Sequence, residues 1–365
     1  MATFGRGFYI LDNYTPIREL APGDLKKECL LFSVKDALMF IPKRARYGQG
    51  ETYFKAKNPE LGATFTWYLK EAPKTLKQKR KAEEKEIIKK GKSIKYPTFK
   101  ELRAEDTEHA PYLLFSVSDE AGQVVRRLKA RAKPGIHRLT WDLRYPSTSP
   151  TELPKKPFEN KSRNMLVMPG KYSVKISQLV NGVLTSLAGP QTFKVEPLSN
   201  TTLPAKDRKA LVAFQTKVAE LGRAVRGTVK TAENLSERIK YIKEALHHTP
   251  GSSETLMMMK QAETIEKQVR EILRVLTGDK SISKRNANQP PSISSRINRL
   301  LYGHRRSSSE PTQTMRDQYR ITGEKFEPIL TKFRKLVEED LKKLEADMEK
   351  AKAPWTPGRI PQWKE

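Results

Sequence analysis

The sequence predicts a multidomain α and β protein: an immunoglobulin-like β-sandwich followed by an antiparallel α-helical bundle. Two observations carry this. Between residues 52 and 198 short apolar runs, about seven of them, are separated by turn signals rich in Pro and Gly, the spacing of a small antiparallel sandwich. From about Leu203 the apolar period changes to three or four residues, the repeat of helices that bury one face. The expected division is 1–51, an opening strand plus linker; 52–198, the sandwich, with a charged helical insertion at 70–108; 199–353, the bundle; and 354–365, a Pro/Trp tail packing on the bundle.

The opening segment, Thr3 to Asp12, reads as a glycine turn at Gly5-Arg6-Gly7 feeding an apolar strand, Phe8 to Leu11. A strand without a neighbour is marginally stable, so this one is expected to pair with chain outside the sequence in hand. The linker that follows turns at Pro22-Gly23, Pro42 and Gly48. Its apolar runs Leu30–Phe32 and Ala37–Ile41 pack on a neighbouring surface, with Cys29 beside them as a small buried hydrophobe.

In the sandwich, Thr52–Ala56 and Ala63–Leu69 are strand-like. Lys70–Glu108 is dense in Lys and Glu, helix-favouring over Lys79–Lys90, and reads as a solvated excursion between strands. Tyr112–Val117 and Val124–Leu128 flank a hairpin turn at Asp119–Gly122. Pro134-Gly135 launches Ile136–Leu143, whose alternation puts Leu139 and Trp141 on one face and Arg138 and Thr140 on the other. A loop from Arg144 to Met165 carries Pro146, Pro150, Pro154 and Pro157; Pro169-Gly170 then starts Tyr172–Ile176, and Thr192–Val195 closes the module. Gly122 and Gly135 suit positions of positive φ, Trp141 is a core filler, and Tyr172 is placed to act as a tyrosine corner.

In the helical region a first stripe runs from Leu211 to Leu246 and a second from Leu256 to Leu276. A short helix follows Pro290-Pro291-Ser292, and a last one runs from about Pro311 through Phe326, Phe333 and Leu344. The tail holds Trp355 and Trp363 among prolines that forbid helix, and is expected to strap those aromatics inward.

Composition narrows the classes of function. A single cysteine excludes an intrachain disulfide framework and a multi-cysteine metal site. No apolar run approaches a membrane span, and the first residues lack the basic-then-apolar pattern of a signal peptide. The net charge of +28 is spread as +8 over residues 1–108, +8 over 109–200 and +12 over 201–365, a diffuse excess that argues against a dedicated nucleic-acid track.

The residues Gly5–Asp12 with Thr15–Arg18 resemble the last strand of sortilin-type β-propellers, bacterial proteins of BNR/Asp-box-like repeats often labelled glycosyl hydrolases. Asn58-Pro59 with Gly62-Ala63, Ser118-Asp119 with Gly122, Val124–Arg126, Gly135 with Trp141–Arg144, and Pro169–Tyr172 are similar to their Ig-like module of the flagellar-hook-capping kind. Ile360–Trp363 is similar to the Ile-Pro-x-Trp near the end of their helical region. The resemblance implies that the opening strand is a propeller remnant, that the partner is the protein's own propeller or an extracellular protein or glycan, and that the protein is secreted or lies in the cell envelope. It does not carry over the hydrolase label, because Ser118–Gly122 lacks the spacing and closing Thr-Trp of an Asp-box.

The sequence offers no convergent chemistry. Glycoside hydrolysis needs two carboxyl groups facing across a cleft, and Asp119, Glu120 and Asp142 sit in turns or at strand ends among basic residues; Glu338-Glu339-Asp340 reads as an exposed helix face. His247-His248 end a helix, where their charge favours the dipole, and His109, His137 and His304 are isolated, so no metal set is expected. Cys29 has no catalytic partner nearby. Gly5-Arg6-Gly7 is no phosphate loop, and Met257–Met259 reads as adaptable packing. The basic cluster Gly303–Ser309 is expected in an interhelical loop. No catalytic, cofactor or metal residue is therefore assigned, and no cofactor. The expected function is a non-catalytic binding or scaffolding portion of a sortilin-like propeller protein. The alternatives are an anion-binding protein for nucleic acid or acidic polysaccharide, and the accessory part of a glycoside hydrolase whose site lies in propeller blades outside this sequence.

Overall fold

The computed structural model describes residues 2–3, 7–8, 11–42, 58–153, 164–198, 203–251 and 253–363. The chain is a mixed α and β protein with a helical C-terminal region, and it forms two compact units: Met1–Ser147 with Leu153–Thr202, and Thr148–Glu152 with Leu203–Glu365.

In the first unit, β1 (Ala2–Thr3), β2 (Gly7–Phe8), α1 (Thr15–Glu19), β3 (Cys29–Leu31) and β4 (Ala37–Met39) precede β5 (Ala63–Leu69). The helices α2 (Leu76–Lys89) and α3 (Phe99–Thr107) then separate β5 from β6 (Tyr112–Asp119), β7 (Val124–Arg131), β8 (Gly135–Trp141), β9 (Gly170–Val180) and β10 (Val183–Pro197). One sheet has the order β4-β10-β9-β6-β7, antiparallel except for the parallel β4–β10 pair; the other is an antiparallel β3-β5-β8. Both contribute to one apolar cluster. Phe65 on β5 stacks on Phe115 of β6 at 6.1 Å and meets Phe193 of β10 edge-on at 5.7 Å, while Trp141 on β8 meets Tyr172 of β9 at 5.4 Å. Such edge and offset pairs add to the area term of burying the rings. Trp141 is fully buried and donates its indole N–H to the Arg144 carbonyl at 3.1 Å; the Tyr172 hydroxyl donates back to the Met168 carbonyl at 2.6 Å. Gly122 and Gly135 both take positive φ.

Three expectations change here. The opening strand is not alone: Gly7–Phe8 pairs antiparallel with Ala2–Thr3, and Leu11 lies beyond any strand and is exposed. The 1–51 linker contains two sheet strands, β3 paired with β5 and β4 with β10, and that pairing turns Cys29, Leu31, Ala37 and Met39 inward and leaves Leu30 and Leu38 more exposed. The closing strand is longer than Thr192–Val195, since β10 begins just after the Asn181-Gly182 turn and includes exposed Val183 and Leu184, which need no apolar alternation. The expected strand Thr52–Ala56 lies outside the described residues.

The second unit holds α4 (Arg208–His247), α5 (Ser253–Thr277), α6 (Lys280–Ser283), α7 (Ile293–Arg306), α8 (Gln313–Lys335) and α9 (Lys342–Lys350). A π-helical segment, Leu336–Leu341, joins the last two. Side-chain caps fix the starts: Asp207 accepts from Ala210 N–H at 3.0 Å, Ser292 from Ser295 at 3.2 Å and Thr312 from Met315 at 3.3 Å. α4 packs against α5 and α7, and α7 against α8. Leu211, Val218, Val225, Leu235, Ile239, Ile242 and Leu246 form the buried stripe of α4.

Candidate functional site

Two of the acidic candidates make local interactions, and Glu120 is exposed. Asp119 Oδ1 accepts from the Gln123 N–H at 2.9 Å and so holds the β6–β7 turn; Asp142 acts electrostatically on the buried Arg126 guanidinium. Glu338 and Glu339 are exposed on the π segment. Among the described residues no group of three or more His, Cys, Asp or Glu is arranged to hold a metal ion. His137 bonds the Pro134 carbonyl at 3.0 Å, His109 is exposed, and the exposed His247-His248 pair ends α4. Cys29 is buried, which pushes its thiol up to about 11 and keeps it protonated at neutral pH. Met258 is buried and Met257 exposed, a packing role for one and none for the other.

The basic cluster is a correction. Gly303, His304, Arg305 and Arg306 are not in a loop but form the last turn of α7, where cations complement the helix dipole. His304 points inward: it is buried, its ring meets Phe214 edge-on at 5.4 Å, and burial lowers its pKa to about 4. Arg306 instead lies over the Tyr302 ring, its guanidinium carbon 4.8 Å from the ring centre.

The tail is the second correction. Prolines keep it non-helical, and it lies on α9, but through an arginine rather than through its tryptophans. Arg359, 9% exposed, donates Nη2 to Glu349 Oε2 at 2.6 Å, Nη1 to the Pro354 carbonyl at 3.0 Å and Nη2 to the Ala353 carbonyl at 3.3 Å. Glu349 also accepts the Gln362 N–H at 3.0 Å, and these bonds, Arg359's first, hold its carboxyl below the usual range. A turn from Thr356 to Arg359 brings Gly358 onto the Arg238 guanidinium, which is paired with Glu345; a Cβ at 358 would stand 2.3 Å from Arg238 Cζ. Burial raises Glu345, opposed by Arg238.

No family model matches this sequence, and none of the curated proteins matches it. A solved structure titled pT26-6p aligns with 80% of this chain and 44% of its own length at 12% identity, with a TM-score of 0.14. The chain therefore spans less than half of that protein, and a likeness at this level carries no argument.

The clasp has a geometric consequence. With Ala353, Thr356 and Arg359 facing inward, Trp355, Ile360 and Trp363 face solvent at 61%, 86% and 79% exposure. Trp355 is further pinned by its indole N–H, which donates to the Arg359 carbonyl at 2.8 Å. Large aromatic surfaces held on a hydrogen-bonded support are suited to contact, since little side-chain freedom is lost when a partner covers them. The sequence hides this because a tryptophan's size and apolar area by themselves point inward. The signal for it was Arg359 following Thr356-Pro357-Gly358, with Glu345 and Glu349 one helical turn apart on the preceding segment.

Proposed function

We propose that the chain is a non-catalytic binding or scaffolding portion of a sortilin-like propeller protein of the cell envelope or exterior. In this reading the two-sheet unit is an Ig-like sandwich, the helical unit an antiparallel bundle, and the bound partner a propeller, another extracellular protein or a glycan. The outward set of Trp355, Ile360 and Trp363 on the arginine clasp supports it most directly. Two sheets sharing one aromatic core, with the Tyr172 hydroxyl returned to the backbone, support the sandwich assignment.

Tryptophan emission tests the reading, because Trp67 and Trp141 are buried and a ligand on the tail changes only Trp355 and Trp363. The whole chain is titrated with soluble glycans and with isolated sortilin-type propellers. A saturable emission shift that disappears in the Trp355→Ala/Trp363→Ala variant is the expected result. Glycosidase or peptidase turnover by the purified chain, lost in Asp142→Asn or Asp119→Asn, overturns it.

A further inference from the structure

The α2–α3 excursion carries apolar side chains that the fold does not use. Neither helix has a buried residue. Their bases are joined by Arg80, whose Nε and Nη2 reach Glu105 at 2.5 and 2.8 Å, and by Glu108, which accepts the Leu76 N–H at 2.6 Å. The far end is equally well formed. Gly91 N–H donates to the Ile88 carbonyl at 2.9 Å and Lys92 N–H to the Ile87 carbonyl at 3.2 Å, the two bonds of a Schellman stop with Gly91 at positive φ. Thr98 then opens α3 with a capping box to Glu101.

This built tip displays Ile88 at 57%, Ile94 at 37%, Tyr96 at 91% and Phe99 at 83% exposure. Between residues 87 and 100 there are five lysines (Lys89, Lys90, Lys92, Lys95 and Lys100) and no acidic residue; Glu86 and Glu101 border the run, and Lys89 pairs with Glu86 at 2.7 Å. We infer that the α2–α3 tip docks on the surface of a bilayer containing anionic phospholipid. Lysines are drawn to the negative leaflet while the aromatic and aliphatic side chains enter the headgroup boundary, the two-signal combination that makes peripheral attachment stable. Nucleic acid fits less well: the run has no arginine, asparagine or glutamine for bidentate pairing with base edges, and although Tyr96 and Phe99 could stack on bases, the exposed isoleucines Ile88 and Ile94 gain only from an apolar phase such as the acyl boundary. The surface lies in the other unit from the tail clasp, and the inference does not rest on the proposed partner of that tail.

The test is co-sedimentation of the whole chain with phosphatidylcholine vesicles, with and without about one-third phosphatidylglycerol. Binding to the anionic vesicles is expected to exceed binding to neutral ones at least about tenfold and to weaken at high salt, since each lysine near the leaflet is worth about fivefold in affinity. Lys92→Glu/Lys95→Glu lowers anionic binding by roughly twentyfold or more on the same scale. Tyr96→Ser/Phe99→Ser lowers it at unchanged charge. These side chains are exposed, so circular dichroism stays at the wild-type level in both variants. Equal binding to neutral and anionic vesicles, wild-type binding by either variant, or absence of vesicle binding, whether or not the chain binds single-stranded DNA, overturns the inference.

Discussion

Acidification should loosen the helical unit through one side chain, His304. Its imidazole is 4% exposed, packs edge-on to Phe214, and has an Nε2 without a hydrogen-bond partner, so a proton there would leave a buried, uncompensated charge. Burial moves its pKa from 6.5 to about 4. A base with a folded-state pKa below its unfolded value binds fewer protons folded than unfolded. Its contribution is therefore complete above pH 6.5 and is lost as pH falls from there through about 4. A gap of about 2.5 units at about 1.4 kcal/mol per unit makes the full loss roughly 3 kcal/mol, most of it gone by about pH 4.5. For a unit of this size that lowers the midpoint by about 6–10 °C. The assay is thermal unfolding followed by helical circular dichroism at pH 7.5 and 4.5, comparing wild type with His304→Phe. The carboxylates titrate alike in both chains, so the wild type loses more stability than the variant by this amount. An equal loss in the two chains refutes a neutral, buried His304.

Gly62 takes φ +131°, and a Cβ on it would stand 1.8 Å from the Trp141 carbonyl oxygen, so Gly62→Ala forces β5 and β8 apart and costs about 2–4 kcal/mol in denaturant titrations; a stability within about 0.5 kcal/mol of wild type would contradict that close approach. Cys29, with its thiol at about 11, should react with an aromatic disulfide reagent at pH 8 at least about a hundredfold more slowly in the folded chain than in urea, where an ordinary thiol is about one-quarter ionised. Similar rates in the two states would mean the thiol is not buried.

What the sequence disclosed follows from which forces act locally. Periodicity placed α4 and α5 because each buries one face, although Leu256, counted in the stripe of α5, is exposed; Asp207, Ser292 and Thr312 cap α4, α7 and α8, while the short α3 and α6 bury no residue and left no stripe to see. Trp141, Tyr172 and the turn glycines were legible because size, hydroxyl and positive φ each point to one environment. Strands β3 and β4 were not, since three residues are too short for alternation to show and their pairing partners, β5 and β10, are distant in sequence. The end of α7 was hidden for another reason: Gly303 and consecutive basic residues look like a loop, whereas Leu300, Leu301 and His304 carry the buried stripe one turn further.

The two surfaces that face outward share a cause. At the tail, Arg359 satisfies two backbone carbonyls and one carboxylate at once, and no tryptophan could replace those bonds. The buried place therefore goes to the guanidinium, and the aromatics on either side of it are left in solvent. At the α2–α3 tip, ion pairs and caps complete the hairpin without a fully buried apolar side chain, so Ile94, Tyr96 and Phe99 stay exposed for want of a core to enter. In both places polar bonds hold the backbone and apolar groups are displayed. That arrangement forgoes several kcal/mol of side-chain burial, and it leaves two sets of apolar side chains in solvent on hydrogen-bonded backbone.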